Sequence, residues 1–435
     1  MADPAMSVSP YWELTFDADG DPDGRRRDRL LAGIVEHDVR DLVVFAHGWN
    51  TDRSGATRLF SRFFAPIPGL APTARLGFVG VVWPSMRFSD EPIPDFPRSA
   101  AADTGQRSGL DKDTRQALLE IFPGRTTVID RIDRLLDGGP REEPELEEFG
   151  RLVRLLVEVE PTAPQAGFGA DTLVDGVPQR EPDMFRGPAA GVCEDFARAL
   201  APEGGPASFA LPDLWDGAHE LLRQATYYAM KRRAGTVGER GLGPAIGRLA
   251  AHKADLRVHL VGHSFGGRLV SFALRGLPQG VRAVKSVTLL QGAFSHYAFA
   301  ARLPHDTSAG GALQGRQNRI DGPLVCCYSH FDSALGTMYP LASRLAGNAE
   351  GAAGPDVGRL LGAKWGAMGY DGVQAVPGTR AWKLADALLT TLPLSGCVNI
   401  DAAQVVRRGG APAGAHSDIV HRELAQVVVA AGRIK

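Results

Sequence analysis

The sequence predicts an α/β protein built on a doubly wound, mostly parallel sheet. Three observations predict it. Continuous apolar runs such as Leu42–Ala46 and Phe78–Trp83 recur along the chain, and a strand apolar at every position is one buried on both faces. Amphipathic helical patterns lie between these runs, which is the alternation that parallel crossovers require. The interval from Trp83 to the next such run, at Arg257, is far longer than one crossover helix needs, so it marks an insertion.

The elements follow in order. Tyr11–Phe16 alternates weakly and reads as a strand. Asp17–Gly24 resembles a calcium loop, with its glycine correctly placed at Gly24, but the twelfth position is Leu30 rather than Glu; the preferred reading is a turn into a helix. Asp28–Val39 is that helix. Leu42–Ala46 is a strand ending at His47-Gly48-Trp49-Asn50, Gly55–Phe64 a helix and Phe78–Trp83 a strand closed by Pro84.

The insertion opens with the Pro-, Arg- and Asp-rich stretch Pro92–Arg107. Helical patterns follow at Asp111–Phe122, Thr127–Leu136 and Glu145–Val159. In the last, Leu146, Phe149, Leu152, Val153, Leu156 and Val157 form one apolar face. Thr162–Pro188 is Gly- and Pro-rich and reads as loop. Leu214–Arg233 and Leu242–His252 suit ordinary crossover helices, so the excess, residues 87–211, is a candidate cap on a core of residues 1–86 and 212–435.

Alternation then resumes. Arg257–Gly262 is a strand, Gly266–Arg275 a helix and Val284–Leu290 a strand. Pro323–Ser329 is a strand and Tyr339–Leu345 a helix. Cys397–Ile400 is the last strand and His421–Ala431 the closing helix.

Composition narrows the function. The chain has 435 residues, 44% hydrophobic and 23% charged, with a formal net charge of -2. That balance does not suggest a nucleic-acid binder, and Arg25–Arg27 is too short a basic run to change this. No apolar run approaches the ~18 residues of a membrane span. No basic segment followed by an apolar one opens the chain; a cytoplasmic location is expected, though leaderless secretion would leave the same sequence. None of the four cysteines forms a C-x-x-C pair. Cys193, Cys326, Cys327 and Cys397 read as buried free thiols, the adjacent pair pointing to opposite faces of a strand.

The chemistry centres on Val258-His-Leu-Val-Gly262-His263-Ser264-Phe265-Gly266-Gly267-Arg268. Here G-x-S-x-G falls between an apolar strand and an amphipathic helix. A serine on such a turn has a strained backbone, and only small flanking residues avoid a clash. The helix N-terminus favours negative charge developing beside it.

On these residues the chain resembles the α/β-hydrolase superfamily, specifically its serine esterase and lipase-like members. The resemblance covers residues 10–85 and 212–435. It implies Ser264 as nucleophile, followed in the chain by an acid and then a histidine. His416, in the loop between the final strand and the closing helix, is the implied base, although about fifteen residues separate it from that strand, so this loop must fold back over the sheet edge. Asp332, after the strand Pro323–Ser329, is the implied acid, with Asp401 as runner-up. The implied oxyanion donors are the backbone N–H groups of Phe265 and Trp49, the latter in an HGW loop rather than the HGGG form of some lipases. Trp49 is also a candidate wall of the acyl pocket.

His47 and His263 read as loop-holding residues and His330 as supporting at most. His296 is a weaker base candidate, and His421 belongs to the last helix. Gln291–His296 and Trp365–Gly372 stand out as pocket walls or loop packing. The expected reaction is hydrolysis of a small-molecule or lipid-like carboxylic ester, with no metal or organic cofactor. Amide, peptide or thioester cleavage uses the same residues, and a non-catalytic interaction module would keep the same fold.

Overall fold

The computed structural model describes residues 6–49, 51–86, 109–139, 142–159, 164–174, 177–178, 183–185, 187–200, 214–338, 366–410 and 413–435. The Pro92–Arg107 stretch, the expected helix Tyr339–Leu345, and Trp365 and Asn50 of their motifs lie outside these residues.

An eight-stranded sheet organises the chain. Its strands are β1 (Tyr11–Thr15), β2 (Asp41–Ala46), β3 (Leu76–Val82), β4 (Arg257–His263), β5 (Val284–Leu290), β6 (Pro323–Tyr328), β7 (Arg380–Lys383) and β8 (Gly396–Asp401). Their order is β1-β3-β2-β4-β5-β6-β8-β7, and every pairing is parallel.

Helices cover both faces, as a doubly wound sheet requires. The longer helices among the described residues are α1 (Gly24–Glu36), α2 (Arg53–Phe64), α3 (Lys112–Ile121), α4 (Thr126–Gly138), α5 (Glu143–Val157), α6 (Ala189–Leu200), α7 (Leu214–Thr236), α8 (Gly243–His252), α9 (Phe265–Gly276) and α10 (Arg422–Gly432). A π-helical turn, Val237–Leu242, joins α7 to α8. Strand β2 shows how the pleat sorts its residues. Leu42, Val44 and Ala46 enter the core shared with α1, α7 and α9. Val43 and Phe45 enter the opposite core, shared with α2 and α10. Cys326 and Cys327 likewise face opposite cores.

The expected helical insertion packs on the first of these cores. All six apolar residues singled out in Glu145–Val159 are buried. Helix α5 begins two residues earlier than its pattern suggests, because Glu142 and Glu145 form a reciprocal capping box. Ile129, Ile132 and Leu136 of α4 join the same continuous core as β2 and β4.

Four expectations need correction. Thr162–Pro188 is not uniformly loop: Thr172–Val174 pairs antiparallel with Ala309–Gly311, tying the insertion to the segment after β5. Helix α6 carries no pattern that had been read as helix, yet it buries Cys193, Phe196 and Ala197. Helix α1 starts at Gly24 rather than Asp28, because Asp23 caps Arg26 N–H, and it stops before Asp38, whose φ is +47°. The sheet edge is β7, beyond β8; it is mostly exposed and so forms no apolar run. The turn reading of Asp17–Gly24 fits its geometry: Asp17 Oδ1 accepts the N–H groups of Asp19 and Asp21 at 3.0 and 2.8 Å.

Candidate active site

The chain order changes direction between β2 and β4. From β2 it proceeds outward through β3; from β4 it proceeds the other way through β5 and β6. A crevice forms at such a switch point, outside the carboxyl ends of the strands, and ligands bind there. The loop His47–Trp49 leaves β2 at this point and the turn at Ser264 leaves β4 beside it.

Ser264 has φ +55° and ψ -123°, in a region non-glycine residues occupy only when their surroundings hold them there. Its N–H donates to Leu290 O at 3.1 Å, and its carbonyl accepts from Gly267 and Ala293 N–H at 3.0 and 3.2 Å. The flanking glycines are sterically required. A Cβ at Gly266 would sit 1.9 Å from Ala46 O, and one at Gly262 would sit 2.4 Å from Gly266 O. Gly48 is equally confined, 2.7 Å from Ser264 Cβ if it carried a Cβ. The β2 loop therefore lies directly against the serine.

Ser264, His416 and Asp332 come together across 152 and 84 residues of chain. His416 Nε2 lies 2.9 Å from Ser264 Oγ, and His416 Nδ1 lies 2.7 Å from Asp332 Oδ2. The carboxylate faces Nδ1, so the proton sits there and leaves Nε2 as acceptor from the hydroxyl. Asp332 is fully buried. Its Oδ1 accepts from Leu335 N–H at 3.0 Å, and its Oδ2 also accepts from Gln291 Nε2 at 3.2 Å. These donors replace the water that a buried carboxylate has lost.

The long loop before His416 folds back over the end of β6. Ala415 N–H donates to Phe331 O at 2.9 Å, Ala334 N–H donates to Ala413 O at 3.2 Å, and Asp418 Oδ2 accepts the N–H groups of Arg407 and Arg408. Gly414, with φ +60°, passes so close to Phe331 and Ser333 that a Cβ would lie 2.5 Å from Phe331 O. Because β8 lies inside β7 in the sheet, this loop crosses toward the sheet centre, not over the edge as the sequence suggested.

The other histidines contact neither Ser264 Oγ nor the Asp332 carboxylate in the bonds they make. His263 donates from Nε2 to His416 O at 2.9 Å. Burial, with the neighbouring His416 adding to it, lowers its pKa to about 3, so it stays neutral. His47 donates from Nδ1 to Gly48 O at 2.8 Å, stacks on Trp83, and is lowered to about 4 by burial. Trp83 Nε1 donates back to His47 O at 3.0 Å, locking the β2 loop to the end of β3. His330 is exposed beside Phe331. His296 pairs with Asp371 at 2.8 Å, not with Asp332. His421 precedes α10 and bonds Asp418 at 2.8 Å. Asp401 accepts from Ala403 N–H at 3.0 Å, a turn contact.

Trp49 is half-buried, with its ring 5.3 Å from Tyr227 and 6.3 Å from Phe265. Phe265 is fully buried and opens α9, where a backbone N–H has no acceptor within the helix. The side chains of the two residues expected to supply oxyanion donors thus lie near each other. Comparisons with protein-family models, with curated proteins and with solved structures each return no match to this chain.

Two associations were not legible in the sequence. The segments Gln291–His296 and 366–372 looked unrelated but form one wall: Met368 and Gly369 N–H donate to Phe294 and Gly292 O, both at 2.9 Å, and His296 N–H donates to Gly366 O. On α9, fully buried Arg268 donates from Nε to Asp171 Oδ1 at 3.0 Å, while Lys231 Nζ lies 2.7 Å from Asp171 Oδ2. Burial acts to raise the Asp171 pKa, but the two cations outweigh it and hold the value at about 2. The only sequence signal for this cluster was an arginine inside an otherwise apolar helix face. Among the described residues no cluster suits a metal ion, and no helix is long and apolar enough to cross a membrane.

Proposed function

We propose that this protein is a serine hydrolase of the α/β-hydrolase kind that cleaves a carboxylic ester of a small or lipid-like molecule through an acyl-enzyme on Ser264. The observation that carries this reading is the continuous hydrogen-bonded path from Asp332 through His416 to Ser264 Oγ, with distances of 2.7 and 2.9 Å. A base within hydrogen-bond reach of the nucleophile, oriented in turn by a third group, is what nucleophilic catalysis needs.

In the first half-reaction Ser264 Oγ attacks the ester carbonyl carbon and His416 Nε2 takes its proton. The carbonyl oxygen gains negative charge, and the N–H groups of Phe265 and Trp49 are the donors this reading assigns to it. The tetrahedral species collapses, the alcohol leaves with the proton from His416, and the acyl group stays on Oγ. Water then attacks the acyl carbon while His416 takes its proton, and Ser264 regains a proton as the carboxylic acid departs. Asp332 holds His416 in the required tautomer and offsets its transient positive charge.

Hydrolysis of nitrophenyl esters of graded acyl length, with matched amides and thioesters, tests the reading. Wild type should turn over esters fastest, and Ser264→Ala should lose at least about 10⁴-fold in kcat. Equal rates for the two proteins on every substrate would overturn it.

A further inference from the structure

We infer that Gln291 is a positioning residue for Asp332, through an amide that fastens the acid to the 366–372 wall. This rests on the reading of Asp332 as the orienting acid.

Gln291 is the first residue after β5. It is fully buried and has φ +48°, a conformation that a residue with a long side chain rarely adopts. Its N–H still donates to Cys327 O at 3.2 Å, so the strand ladder continues through the bend. The bend sends the side chain across the end of β6 to Asp332. There Nε2 donates twice, to Asp332 Oδ2 at 3.2 Å and to Gly369 O at 3.0 Å. The backbone of the wall is pressed against this residue: a Cβ at Gly369 would lie 2.3 Å from the carbonyl carbon of Gln291.

Both neighbours of this nitrogen are acceptors, so the amide orientation is determined by its partners. The other end of the amide shows what that orientation costs. Gln291 Oε1 is buried and has no hydrogen-bond partner among the described residues, and an orphaned buried acceptor is unfavourable. A side chain chosen only for packing would carry no polar end here. A glutamate would set a second carboxylate against Asp332, and a lysine would add a charge. A neutral group with two N–H bonds on one atom satisfies both acceptors.

The bond reaches Oδ2, the same oxygen that receives His416 Nδ1. Two consequences follow. The acid is held at the position from which it orients the imidazole. The positive end of the amide dipole also tempers the pull of the carboxylate on the His416 proton, so loss of the amide should raise the pH at which His416 titrates.

The test uses the full-length protein and Gln291→Met, which keeps length and volume but has no N–H, with Gln291→Glu as the second variant. His416 is titrated by imidazole NMR, which needs no turnover, and ester hydrolysis is followed across pH. In Gln291→Met the His416 midpoint should rise by about half a pH unit, and kcat should fall roughly tenfold to a hundredfold with KM little changed. In Gln291→Glu, ionisation beside Asp332 should raise the midpoint further. A folded Gln291→Met protein with the wild-type His416 midpoint overturns the inference. A shifted midpoint in a protein whose wild type hydrolyses no ester overturns instead the reading of the site as hydrolytic, and leaves the role of Gln291 toward Asp332 standing.

Discussion

The loops at the carboxyl ends of the strands and the helical insertion hold their buried polar groups in different ways. Around Ser264 the histidines that brace the loops are neutral, and Asp332 is the buried carboxylate that the site employs, in contact with His416. His47 and His263 are uncharged imidazoles bonded to backbone carbonyls. Where the insertion meets α9, the support is ionic: Asp171 lies between Arg268 and Lys231 and also accepts Ser295 N–H at 3.0 Å. The bond from His47 to Gly48 O is local, whereas that from His263 to His416 O spans 153 residues; neither sets a buried charge against another. A buried carboxylate between two cations needs all three residues to arrive together, and Asp171 stands 97 residues before Arg268.

The largest expected effect breaks the ionic side of this comparison. Asp171→Asn leaves two buried cations without their counter-charge, and removing one member of a buried ion pair costs about 3–5 kcal/mol. Urea unfolding should show that loss. Arg198→Ala, which removes only exposed pairs with Glu194 and Asp195, should leave the midpoint almost unmoved. Similar losses in the two variants would mean that the Asp171 cluster does not fasten the insertion.

The same contrast explains what could be read from the sequence. Strands such as β2 and β3 were visible because burial on both faces makes them almost wholly apolar, as in Leu42–Ala46, and β1 from its weak alternation. The Ser264 turn was visible because Gly262 and Gly266 cannot carry a side chain there. Asp332 and His416 were accessible only through their order in the chain; their approach depends on a loop folded back by contacts such as Ala415 to Phe331. Edge strand β7 was hidden because its residues are mostly exposed. Helix α6 does carry helical spacing, in Ala189, Cys193, Phe196 and Ala197, but it stands between Gly- and Pro-rich stretches; the Asp171 cluster was hidden because long-range partners define it. Gln291 was noticed as part of a segment, but its role requires knowing that Gly369 and Asp332 flank the same nitrogen.

A second effect separates the two regions by pH. The unfolded chain protonates histidine near 6.5, whereas folded His47 and His263 resist protonation down to about 4 and about 3. The unfolded state therefore binds more protons below 6.5, and stability should fall as pH drops from that value. The slope is about 1.4 kcal/mol per pH unit for each such histidine. Asp171, held at about 2 against an ordinary 3.8, contributes stability that is full above 3.8 and is lost only as pH falls through about 2. Urea unfolding between pH 7.5 and 4.5 should show the histidine slope, reduced in His47→Asn. A flat profile over that range would contradict the neutral, buried state of both rings.

The central claim is that Ser264 is a nucleophile activated by His416. Its most direct measurement is reaction with a fluorophosphonate probe, mapped by mass spectrometry of the digested protein. The account predicts a single phosphonylated residue, Ser264, in the wild type, with labelling slowed severely in His416→Ala and absent in Ser264→Ala. Folded wild-type protein that remains unlabelled at Ser264 would contradict it.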